Sequence, residues 1–252
     1  MNWFLDKTVR FFVENFPSWQ AIAIGVPLGL MWSFVCLWFA GSLKQNGVRT
    51  GYTRKVFHFL IFTTVALLQW RFGAPAVCLF GGTCTLVVFF AIWRGNGNIL
   101  YEAMAREKDE PHRTYFILVP YFATLVGGLL SNILFCGFAI SGYLVTGLGD
   151  AIGEPVGTMI GKHRYRVPSL SSVPTTRSWE GSIAVFIMSV FALGLAVVFS
   201  PHNAIFPSLG GLAKIIIIAA ACATAEALSP HGWDNAIMQL IPSALVWAWM
   251  YT

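Results

Sequence analysis

The sequence predicts an all-α polytopic membrane bundle of about eight transmembrane helices, preceded by an amphipathic helix lying in the interface. Three observations predict it. Hydrophobic residues make up 56% of the 252-residue chain and charged residues only 11%, whereas a soluble domain carries roughly a quarter charged residues. The apolar residues fall in runs long enough to cross a hydrocarbon core as helices. Trp and Tyr mark the ends of several runs, at Trp19, Trp70, Trp93, Tyr115, Trp179, Trp233 and Trp249, as expected of side chains that settle at the headgroup level.

The chain begins with residues 1–18, where Asp6, Lys7, Arg10 and Glu14 are interleaved with Trp3, Phe4, Phe11, Phe12 and Phe16. That pattern fits a short interfacial helix and lacks the features of a cleavable signal peptide. Residues 19–252 then form one transmembrane domain, with spans near 19–40, 56–71, 74–93, 115–131, 133–149, 181–200, 212–228 and 235–251. The pair at 115–149, divided only by Ser131-Asn132, is short enough to be tilted or re-entrant. The five cysteines lie in apolar stretches without a C-x-x-C pair and read as small buried hydrophobes.

Charge orients the bundle. With eight spans, the connections 41–55, 94–114, 150–180 and 229–234 share one side. That side holds Lys44, Arg49, Arg54, Lys55, Arg94, Arg106, Lys108, Arg113, Lys162, Arg164, Arg166 and Arg177. The opposite side has Lys7, Arg10, Arg71 and Lys214. The positive-inside rule puts the first group in the cytoplasm and both termini outside. The net charge of +5 is therefore spent on orientation and lipid headgroups, which argues against nucleic-acid binding.

Four polar motifs fall on that same side, although the assignment used only Lys and Arg. Arg54-Lys55-x-x-His58 begins a span; a dibasic anchor accounts for the pair, but a histidine inside an apolar helix is costly and more often functional. The richest stretch is Gly147 to Tyr165, with Asp150 and Glu154 on one helix face. Two adjacent carboxylates at a membrane edge repel unless a cation lies between them, and Mg²⁺ bearing nucleotide phosphates suits that position. Gly149, Gly153, Gly157 and Gly161 recur every fourth residue, either for close helix packing or to open the backbone beside the acids. The spacing matches neither a Walker A loop nor a dinucleotide G-x-G-x-x-G.

Arg177-Ser178-Trp179-Glu180-Gly181-Ser182 enters the next span. Arg177 has the geometry for phosphate, and Glu180 serves either as a helix cap or in catalysis. The Ser/Thr/Pro-rich loop from Arg166 to Thr176 has the composition of a lid that closes over a nucleotide. Last, Glu226 lies at the end of an apolar run, with Asp234-Asn235 opening the next helix as cap or ligand. The connection 94–114 reads as solvated and without chemistry, and His112 and His202 read as unremarkable.

In this order the motifs resemble the CTP-dependent polyprenol kinase family, which includes dolichol, phytol and yeast-type diacylglycerol kinases. The matches are Arg54-Lys55 with His58, Gly149-Asp150-Ala151, Gly157 through Gly161-Lys162-His163, Arg177 to Ser182, and Glu226 with Asp234-Asn235. They span residues 54 to about 240. The resemblance implies a catalytic transmembrane domain that uses CTP and Mg²⁺. Asp150, Glu154, Glu180 and Glu226 would be the catalytic acids, and Asp150, Glu154 and Asp234 the metal ligands. Arg54, Lys55, His58, Gly149, Gly153, Gly157, Lys162, His163, Arg177, Ser178 and Asn235 would meet the nucleotide. The Glu154-Pro155 pair departs from the family's glycine block.

The implied reaction is transfer of the γ-phosphate to a lipid alcohol that approaches from the bilayer, in a bacterial inner membrane or the endoplasmic reticulum, with the active site cytoplasmic. Two rivals stand beside it. A phosphatidate cytidylyltransferase shares the middle blocks, but His231-Gly232-Trp233-Asp234 lacks that family's second glycine and following Arg. A small transporter would use the same acids as an ion site. The lipid and the oligomeric state stay open.

Overall fold

In the computed structural model the described residues are 2–168, 175–199 and 209–251. Residues 169–174 of the expected lid, and His202, lie outside them. Helix α1 (Asn2–Glu14) precedes α2 (Trp19–Gln45), α3 (Thr50–Phe72) and α4 (Ala74–Arg94); the short α5 (Ile99–Glu102) sits in the next connection. α6 (Tyr115–Phe135) leads to a continuous helical run made of α7 (Ala139–Leu144), a widened turn at Val145–Asp150 and α8 (Ala151–Met159). A hairpin of β1 (Arg164–Val167) and β2 (Thr175–Ser178) follows, then α9 (Trp179–Phe199), α10 (Leu209–Leu228) and α11 (Asp234–Tyr251).

The chain is thus a polytopic helical membrane protein. Among the described residues five stretches are long and apolar enough to cross a membrane: Trp19–Gln45, Ala74–Arg94, Tyr115–Met159, Trp179–Phe199 and Gly210–Leu228. The two expected spans outside this set are the polar ones. α3 carries Arg54, Lys55, His58, Gln69 and Arg71, and α11 carries Asp234, Asn235 and Gln239.

Several expected boundaries move. The break in the 115–149 pair falls at Cys136, whose φ of 45° stops α6, and not at Ser131-Asn132, which stay helical and buried. The run after it continues to Met159, so Asp150 and Glu154 stand on a helix and not in a connection. Arg54 and Lys55 likewise belong to the first turns of α3. The expected loop 166–176 begins and ends in strands, with Arg164 paired to Ser178 and Val167 to Thr175 in antiparallel register.

Residues 139–147 are buried without interruption, because α3, α9 and α11 all pack on this central helix. No hydrophobic effect drives helices together in lipid, so small residues that let backbones approach become decisive. A Cβ on Gly149 would lie 2.8 Å from Ser189 Oγ, one on Gly153 2.7 Å from Val185 Cγ2, and one on Gly157 2.7 Å from Ser178 Oγ. The glycine stripe is the contact face of the central helix on α9 and the end of β2. Outward faces stay apolar, as at Ile24, Leu28, Met31, Leu86 and Ile187, which suits contact with lipid.

α1 docks at the end of the bundle away from the motifs. Phe11 is buried with Ala74 and Ile133, and Lys7 Nζ donates to the Leu134 carbonyl at 3.0 Å. Trp3, Leu5, Val9, Val13 and Phe16 remain exposed, the apolar face an interfacial helix requires.

Candidate functional site

The functional side chains meet because four connections and four helix ends gather at one end of the bundle. Lys44 pairs with Glu107, and Thr53 Oγ1 donates to the Ala103 carbonyl at 2.9 Å, tying the 94–114 connection to α3. On the central helix, the widened turn Val145–Asp150 inserts an extra residue before α8. Such bulges recur at functional sites because they re-aim the residues that follow. Asp150 and Glu154 are thereby turned toward α3 and a polar cleft of about 160 Å³.

Each acid in the cleft is held by at least one base. Asp150 is buried, accepting from Lys55 Nζ at 2.8 Å, with His58 Nε2 3.5 Å away. His58 Nε2 also lies 3.0 Å from the Thr146 carbonyl. A carbonyl only accepts, so neutral His58 carries its proton on Nε2 and shares it between the two oxygens. Glu154 receives Arg106 at 3.1 Å and Arg54 at 3.4 Å, with Lys108 at 3.9 Å. Arg177 reaches Glu226 Oε1 and Asp234 Oδ2, both at 3.0 Å, and also donates to the backbone carbonyls of Glu226 and Ser229. Two carboxylates on one face do not need an exogenous cation to coexist here, because Lys55, Arg54 and Arg106 supply the charge.

Ten of the residues picked from sequence line this cleft: Arg54, Lys55, Asp150, Gly153, Glu154, Gly157, Arg177, Ser178, Glu226 and Asp234. The others lie around it. His58 supports Asp150 from behind, and Gly149 is buried against α9. Glu180 points away, accepting from the backbone N–H groups of Lys162 and His163 and from His163 Nδ1 at 2.8 Å. It secures the turn before β1. Asn235 donates to Thr124 Oγ1 at 2.8 Å and to the Pro120 carbonyl at 3.2 Å, clamping α11 to α6. Lys162 and His163 are exposed on the same turn.

The connection 94–114, expected to carry no chemistry, supplies Arg106. Its guanidinium is buried and gripped by Asp109 at 2.7 and 3.2 Å, leaving Nη1 for Glu154 and Nη2 for His231 Nε2 at 2.9 Å. Only the Arg106-x-x-Asp109 spacing hinted at this in the sequence. Arg164, Thr158 and Ser182 complete the rim. Burial alone would lower the pKa of the Arg177 and Arg106 guanidiniums, but the carboxylates beside them push both upward.

Among the described residues no three His, Cys, Asp or Glu side chains converge as a metal site. That donor set still fits Mg²⁺ carried on a nucleotide, which takes one or two protein carboxylates and draws its other ligands from phosphate and water.

His231 accepts from Arg106, so its Nε2 is bare, and burial followed by the charges of Arg106 and Arg54 lowers its pKa to about 3. The unfolded chain takes up this proton near pH 6.5 while the folded chain refuses it. The associated stability is complete above that pH and falls as pH drops toward 3, by at most about 1.4 kcal/mol per unit. Thermal unfolding at pH 5 and pH 7 should show a smaller acid loss in His231→Gln, whose amide oxygen still accepts from Arg106.

The chain is 28% identical over 138 residues to the phytol kinase of a Synechocystis species, an alignment covering 52% of this chain and 54% of that protein. It thus spans about half the length of that curated relative. No family model matches the sequence, and no solved structure matches it.

Proposed function

We propose that the chain is a membrane-embedded lipid kinase. It transfers the γ-phosphate of CTP, or another nucleoside triphosphate, to the hydroxyl of an isoprenoid alcohol (phytol, farnesol or a longer polyprenol, dolichol) or of diacylglycerol. The observation that carries this reading is the cleft itself, in which Arg54, Arg106 and Arg177 are each held in place by a carboxylate at the edge of an apolar bundle. Phosphoryl transfer asks a protein mainly for positioning and for neutralisation of spreading negative charge. The carboxylates orient the arginines in advance, so phosphate oxygens that join them meet donors already in place. The N-terminal ends of α9 and α11, at Ser178 to Ser182 and at Asp234, border the same cleft and add their positive dipole ends. The likeness to a phytol kinase points the same way.

Asp150, with Glu154 or Asp234, would hold Mg²⁺, and that ion supplies charge neutralisation on the transferring phosphate. Asp150 also takes the acceptor's proton. The alcohol oxygen attacks the γ-phosphorus, the bond to the β-phosphate oxygen breaks, and the nucleoside diphosphate departs. Lys55 and the His58 Nε2–H hold Asp150 in position until then. Access through the membrane lets the lipid keep its tail in the bilayer, on the cytoplasmic side that the Lys/Arg distribution favours.

Purified protein incubated with Mg²⁺, CTP labelled at the γ-phosphate and a panel of lipid alcohols tests the proposal. Release of CDP together with a labelled lipid phosphate is expected. Release of pyrophosphate with a CDP-lipid would make the protein a cytidylyltransferase, and flux across proteoliposomes without CTP consumption would make it a transporter.

A further inference from the structure

A second cavity, of about 280 Å³ and almost entirely apolar, lies between α3, α4, α6 and α7. Its mouth is bordered by Phe12, Gly82 and Leu129, all exposed on the outer surface of the bundle. It therefore opens sideways into the region the membrane would fill. Phe62, Val65 and Tyr143 form its inner wall.

One face of α3 runs from the polar cleft to this cavity. Lys55, His58, Phe62 and Val65 are spaced three, four and three residues apart, which stacks them along a single helix face. The first two engage Asp150 and the last two line the apolar cavity. The His58 and Phe62 rings touch, with centroids 4.5 Å apart, so the polar site gives way to the apolar one within a helical turn. A linear molecule with a hydroxyl at Asp150 would follow this direction to place its hydrocarbon chain in the cavity. On the far side, α4 turns Gly81 and Gly82 toward the space, and a Cβ on either would meet nothing within 4 Å. These glycines are not there for close helix packing; they widen the cavity.

We infer that the lateral cavity between α3, α4 and α6 holds the hydrocarbon chain of the lipid alcohol whose hydroxyl is presented to Asp150. The inference rests on the kinase reading for its occupant, though not for the cavity's ability to bind an alkyl chain. It makes the α4 glycines determinants of chain length, because they set how much chain can be buried.

Gly81→Leu tests this directly. The added side chain enters open space and improves helix propensity, so the fold is retained. Activity on a short-chain isoprenoid alcohol should persist, while KM for a long-chain alcohol rises about tenfold or more, equivalent to roughly two methylenes no longer buried. An unchanged chain-length profile in an active variant overturns the inference. A long-chain alcohol bearing a diazirine near its distal end supplies a readout independent of turnover. Photolabelling of wild-type protein should fall within residues 77–85 and 121–132 and be lost in Gly81→Leu. Labelling elsewhere, or labelling unaffected by the substitution, refutes the cavity assignment. Wild-type protein that labels there but phosphorylates no alcohol would sink the kinase reading and leave the chain site standing.

Discussion

Asp150→Asn is expected to lower phosphoryl transfer by about a thousandfold or more, the scale on which removal of a preorganised charge at a reacting centre is felt. The substitution keeps shape and leaves an amide oxygen to accept from Lys55 Nζ, now 2.8 Å from Asp150 Oδ2. It removes both the proposed proton acceptor and the negative charge that balances Lys55. A buried ion pair stripped of one partner costs about 3–5 kcal/mol, so loss of activity alone would not distinguish chemistry from structure. The double variant Lys55→Met, Asp150→Asn separates them, because it replaces the pair with neutral groups of similar volume. Thermal unfolding in detergent should show the double variant more stable than Asp150→Asn alone, with transfer equally absent. Turnover of labelled CTP within about tenfold of wild type in either variant would remove Asp150 from the centre of the site.

The helices were legible for a plain physical reason. A span must be apolar for some twenty residues, and that constraint is written in consecutive positions. The gathering of polar motifs at one end was also legible, because Lys and Arg distribution and motif order are both linear features. What sequence left hidden depends on packing. Arg106 sits in a connection rich in both charge signs, a composition that normally marks a solvated loop. Only the fold buries it between Asp109, Glu154 and His231. Glu180 and Asn235 each carried two readings in the sequence. Both belong to residue types that cap and clamp as readily as they catalyse, and the structure uses one to hold the 162–163 turn and the other to fasten α11 to α6. The Gly149–Gly161 stripe had two readings, packing and backbone access. Its contacts satisfy the first along α9, while Gly153 and Gly157 also reach the cleft. The break at Cys136 had no signal, since a positive φ is rare for cysteine.

Arg177 should prove the most costly residue at this end of the molecule to remove. Its guanidinium ties β2 to the last turn of α10 and the first of α11, meeting Glu226, Asp234 and two backbone carbonyls at once. Glu226 is 6% exposed, so Arg177→Ala leaves a buried carboxylate without its cation. The expected cost is about 3–5 kcal/mol, which for a chain of this size lowers the unfolding midpoint by about 10 °C. Lysine should recover only part of the loss, because a single ammonium lacks the planar fork that serves Glu226 and Asp234 together. If the penalty arises from the stranded charge, Glu226→Gln on the Arg177→Ala background should restore stability, since a neutral amide is cheaper to bury. Transfer should not return with it, for the phosphate would still lack its guanidinium. Midpoints measured on the single, lysine and double variants decide the stability claim. Recovery of both stability and transfer in the double variant would show that Arg177 acts only as a brace, leaving Arg54 and Arg106 to hold the phosphates.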